Sequence, residues 1–140
     1  MPTLENRSVA LSLQRLTAGG ATSIEIADAV VTTWQAIEAA LVPVIGGRGI
    51  AALFGRSLHL IRASHPWLNG AGNHMHMDLE LLRAALSQQE SATAAAGAGA
   101  HLHSLSELLG SLIGVSLAGQ LLGPVWNNAF DGIEEKENLP

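Results

Sequence analysis

The stretch from Arg48 to Ser64, RGIAALFGRSLHLIRAS, restricts the fold of this chain more than any other. At about 100° per residue, Ile50, Leu53, Phe54, Ser57 and Ile61 fall on one side of a helix. Arg48, Arg56, His59 and Arg62 fall within about a third of the circle on the opposite side. A strand would alternate with period two, which this stretch does not do. The spacing therefore predicts an amphipathic helix with one face in a core and a basic face in water. Pro66 predicts its end, because proline has no N–H and restricts the residue before it.

The neighbouring segments read the same way. Ala27, Val30, Val31, Trp34, Ile37 and Leu41 recur at helical steps, after a cap at Thr22 or Ser23 with Glu25 in the first turn. Pro43 and Gly46-Gly47 are expected to bend or end that helix. A first helix is expected over residues 4–18, stopped by Gly19-Gly20. A fourth should start at Asp78 as its N-cap, with Leu79, Leu82 and Leu86, together with Leu81 and Ala85, on its apolar side. Residues 91–100, SATAAAGAGA, read as a weak continuation or a flexible joint. A fifth helix is expected from Leu102 to Leu122, broken by Gly123-Pro124, with a short turn after it. Ala and Leu dominate the apolar residues, while Tyr is absent and Phe and Trp total five. That balance favours helices over strands. The expectation is all-α: five to six helices in a single bundle-like domain over residues 1–130, with residues 131–140 as an acidic, disordered tail.

Charge and cysteine content narrow the function. The formal net charge is −5 and the single Lys is Lys136. General nucleic-acid binding normally needs a basic surplus, so the balance argues against it. No cysteine is present, which excludes disulfides and thiolate metal sites. The N-terminus has Glu5 early and no long apolar core, so it does not read as a secretory signal. A cytoplasmic protein is expected.

The basic face holds three of the seven cations. Guanidinium groups offer planar forks of donors to phosphate or carboxylate, so Arg48, Arg56, His59 and Arg62 are candidate ligand-binding residues. The alternative is a solvated face, or arginines paired to Glu25, Asp28 or Glu38. Within the face, His59-Leu60-Ile61-Arg62-Ala63-Ser64 resembles the histidine phosphotransfer motif of two-component signalling. That motif places a cation three residues after an exposed histidine and a small residue next to it. The resemblance implies His59 as phosphoryl acceptor, Arg62 as the neutralising cation, Ala63 at the small position and a receiver domain as partner. It covers six residues. This chain has Arg and Ala where the family favours Lys and Gly, and Pro66 ends the helix sooner than the family pattern does.

Two further segments carry candidate chemistry. In an extended loop, His74, His76 and Asp78 would share one side and could approach a metal ion. On a helix that alternation diverges, and for the same reason His101 and His103 are not expected to act together. The run from Leu108 to Phe130 has no charged residue and contains Gly110, Gly114, Gly119 and Gly123 at small-residue spacing. It reads as a helix buried on all sides, in the core or in a homodimer interface, with a membrane span as a weaker alternative because Gln120 and Pro124 interrupt it. No hydrolase elbow or paired-carboxylate motif occurs, and no cofactor is implied. The expected function is a signalling or regulatory module acting through protein contacts, with histidine phosphotransfer through His59 as its most concrete form. The alternative is a homodimeric binder of a small anionic ligand, such as a nucleotide or phosphorylated metabolite.

Overall fold

A computed structural model describes residue 13, residues 15–68 and residues 77–128. The chain is all-α, and no strand occurs among the described residues. Residues 15–18 are helical and stop as the glycine pair requires. Gly20 donates to the Thr17 carbonyl and Ala21 to the Leu16 carbonyl, which closes the helix end with paired reverse hydrogen bonds. Leu13 is helical and buried as well, and residues 4–12 and 14 of the expected first helix lie outside the described residues, as do the tail at 131–140 and most of the loop after Leu68.

Helix α1 (Ser23–Leu60) begins with a full capping box. The Glu25 N–H donates to Thr22 Oγ1 at 3.2 Å, and the Thr22 N–H donates to Glu25 Oε1 at 3.0 Å. Each partner satisfies a donor that the helix itself leaves open. The element is two helical segments that meet at Gly46. Gly46 has φ 78° and ψ 167°, a backbone conformation open almost only to glycine. Trp34 and Phe54 flank this break, and their ring centroids stand 4.8 Å apart. In a straight helix, residues so separated would be roughly 30 Å apart. So α1 is a hairpin whose arms, residues 23–45 and 47–60, lie against each other. The sequence leaves open whether Gly46 bends or ends the helix; packing turns it into a reversal.

After a short 3-10 turn (Pro66–Leu68), α2 (Leu79–Ser87) starts at the expected cap. Asp78 accepts from the Leu81 N–H at 3.1 Å. Ser23 Oγ donates to the Ser87 carbonyl at 2.9 Å and ties α2 to the open end of the hairpin. An ion pair between Arg83 and Asp28 crosses the same end.

The second half of the chain departs from the sequence expectation. Residues 91–100 are neither joint nor fringe: they form the first half of α3 (Ser91–Ile113). Ala94, Ala95, Gly97 and Ala98 are buried there. Their small side chains let neighbours come close, and a Cβ on Gly97 would fall 2.5 Å from Trp67. The expected fifth helix also changes its bounds. It breaks at Gly114, φ 96°, rather than at Gly123-Pro124. Helix α4 (Val115–Asn128) follows and holds Pro124 inside it. Gly123, lacking a Cβ, removes one of the clashes a proline makes with the residue before it. The uncharged run is therefore two helices and not one enclosed helix. Leu109, Ala118, Leu122, Val125 and Trp126 are buried in this chain's own core, while Leu112, Val115 and Leu117 are exposed.

Candidate functional site

The second arm of α1 presents the basic stripe. Ile50, Ala51, Phe54, Ser57 and Leu58 are buried on its inner side, and Leu53 and Ile61 are half-buried. Arg48, Arg56, His59 and Arg62 are all exposed. Asp28, a candidate partner for this face, is paired with Arg83 instead.

Along the arm, Arg56 and His59 are about 4.5 Å apart in rise, whereas Arg48 stands about 12 Å from Arg56, toward the Gly46 turn. A single phosphate would meet Arg56 with His59, not the whole set. Four groups spread this far match an extended anionic surface better than a compact ligand.

The end of the arm differs from the expected one. The helix stops at Leu60, and residues 61–64 form a turn instead of a last helical turn. Proline at 66 cannot donate to the Arg62 carbonyl, so continued helix gains little there. Arg62 therefore does not sit three residues on along a regular helix. Its Nη1 folds back and donates to the His59 carbonyl at 2.6 Å. The guanidinium thereby lies at the negative end of the helix dipole, where a cation is favoured. His59 and Arg62 remain neighbours, held together by this backbone contact.

The other histidines have different fates. His74 and His76 lie outside the described residues, and Asp78 serves as the N-cap of α2. His101 and His103 diverge as helical spacing requires. His103 Nε2 pairs with Glu107 Oε1 at 2.9 Å, one turn on and exposed. His101 is fully buried, packed 4.6 Å from the Trp34 ring and 4.8 Å from the Phe54 ring. Its Nε2 faces the Phe54 carbonyl at 3.3 Å, an acceptor that also takes the Ser57 hydroxyl at 2.9 Å. Burial among rings disfavours the charged imidazole and lowers its pKa to about 3, with the Phe54 carbonyl opposing in part. Sequence reasoning did not foresee this role. A signal exists: His101 keeps helical register with Ala94, Ala98, Leu105 and Leu109, all of them buried.

Among the described residues, no three His, Asp or Glu side chains come together as a metal site would need. A groove of about 510 Å³ runs between residues 13–18 and α3, over Ala92, Ala95, Ala96, Gly99 and Ala100. Among the described residues its lining holds no acid, base or cation, and the Thr17 hydroxyl in it donates to the Leu13 carbonyl at 3.0 Å. Comparison with protein-family models, curated proteins and solved structures finds no match to this chain.

Proposed function

We propose that this chain is a helical signalling or regulatory module that works by contact with a protein partner through Arg48, Arg56, His59 and Arg62. The observation that carries this reading is the spread of Arg48, Arg56 and His59 along one arm, with Arg62 exposed in the turn after it, over a length suited to an acidic protein surface. The arm is a rigid platform for it, because its inner side is clamped in the Trp34–Phe54–His101 cluster. Electrostatic complementarity of this kind speeds and orients encounter.

Phosphoryl transfer through His59 is the chemical form of this reading. His59 stands on an exposed helix surface, and Arg62 is held on the backbone carbonyl of the same residue. The helix C-terminus disfavours added negative charge, and Arg62 offsets that. Incubation with a phosphorylated receiver domain is expected to move label onto this protein, acid-labile and base-stable, and His59→Gln is expected to abolish it. Without labelling, the contact reading still requires that a receiver shift amide resonances along residues 48–62, and that Arg48→Ala with Arg56→Ala weaken binding at least fivefold. Absence of both results defeats the proposal.

A further inference from the structure

Two glycine breaks, Gly46 and Gly114, share a similar backbone geometry, with φ of 78° and 96°. The packing places them at one end of the bundle. His101 lies beside both Trp34 and Phe54, which fixes the level of α3 against the hairpin. Gly97 lies against Trp67, just beyond the open end of the hairpin, so α3 runs from the open end toward the closed one. Ile113 follows His101 by the same number of residues as Gly46 follows Trp34, roughly 18 Å of helix in each case. The two breaks therefore arrive together.

This end has an unusual surface. Among the described residues, five of the eight exposed large hydrophobics belong to it: Val42 (40%), Val44 (46%), Leu112 (61%), Val115 (66%) and Leu117 (41%). Residues 39–47 and 108–128 contain no charge, and Arg48 supplies one beside the Gly46 turn. Of the other three, Ile24 and Leu81 belong to the segments at the opposite end that carry Glu25, Asp28, Glu80 and Arg83, and Leu60 ends the second arm between His59 and Arg62 in sequence. A Cβ built on Gly46, Gly47 or Gly114 meets open space, so the end is open and offers no socket for a partner's side chain at these turns.

From this polarity we infer that the end built by the Gly46 and Gly114 turns docks onto a lipid surface bearing anionic headgroups. Apolar side chains at the turns would enter the headgroup boundary, and Arg48 would meet the lipid charge. A fluid surface conforms to an open tip, whereas a protein needs a complementary one. Charge separates lipid from a second copy of this chain. A tip-to-tip pairing would leave Arg48 facing an end whose two turn segments, 39–47 and 108–128, carry no acid. Helix α1 is long and apolar enough to cross a bilayer by length and composition, with mean hydropathy 1.6 over an 18-residue stretch that is 28% buried. Its reversal at Gly46 instead brings that apolar content to the tip of a hairpin, so the docking is peripheral.

Cosedimentation with vesicles of phosphatidylcholine alone, or of phosphatidylcholine with phosphatidylglycerol at 3:1, tests this. Wild-type protein is expected to sediment with the mixed vesicles and much less with the neutral ones. Arg48→Glu should weaken binding by at least about fivefold. Val44→Glu with Val115→Glu should abolish it, with an unchanged circular dichroism spectrum. A fluorophore on Val44→Cys should shift to the blue with vesicles, and one on Leu81→Cys should not. Failure to bind either vesicle, equal shifts at both labels, or a dimer in solution that Val115→Glu dissolves would each overturn the proposal.

Discussion

His101 carries the sharpest consequence at the scale of a single residue. Folded, it stays neutral down to about pH 3; unfolded, its pKa returns to about 6.5. Between those values only the unfolded chain takes up the proton. Its contribution to stability is therefore full above pH 6.5 and declines as pH falls toward 3. From pH 7.5 to pH 5 the loss is about 2 kcal/mol. Urea unfolding of wild type and His101→Leu at both pH values isolates this term, since the variant keeps every carboxylate. Parallel pH profiles would refute the assignment. The rings around His101 matter in their own right. Trp34 and Phe54 are fully buried, so Phe54→Ala is expected to lower unfolding stability by about 3–5 kcal/mol. A midpoint shift in urea far below that would mean the cluster is loosely packed.

The hairpin turn decides most at the scale of an element. Gly46 and Gly47 both have open space where a Cβ would go, but only Gly46 has positive φ. Gly46→Ala is thus expected to destabilise by about 1–3 kcal/mol through backbone strain alone. Gly47→Ala, in a helical and exposed position, should be neutral or slightly stabilising. Chemical denaturation of the two variants gives the comparison, and equal effects would mean that the chain does not reverse at Gly46. The sequence signals at this turn were legible as a break. Its direction was not, because a break becomes a reversal only when the two arms find apolar faces that fit.

For the whole molecule, the level of α3 against the hairpin can be measured directly. The chain has no cysteine, so spin labels on Val44→Cys and Leu112→Cys report one pair. Packed helices lie 8–10 Å apart, so labels at one end should fall within about 20 Å, allowing for linkers. A dominant distance beyond about 30 Å would separate the two glycine turns and remove the apolar end with them.

The helical class, the helix N-caps and the inner face of the second arm followed from the sequence alone. Each depends on residues within a turn or two of one another: Thr22 with Glu25, Asp78 with Leu81, and Ile50 with Phe54 and Ser57. The basic stripe was legible for the same reason, since exposure of Arg48, Arg56 and His59 is the other half of that periodicity. Tertiary structure alone decided the rest. Residues 91–100 look like a linker by composition, yet small side chains are what close helix contact needs, and only a neighbour such as Trp67 reveals that. His101 looks polar until Trp34 and Phe54 enclose it. Helical periodicity states which side of a helix is apolar. It does not state what covers that side, and this is why the core partners, the reversal at Gly46, the break at Gly114 and the apolar end emerged only from the packed chain.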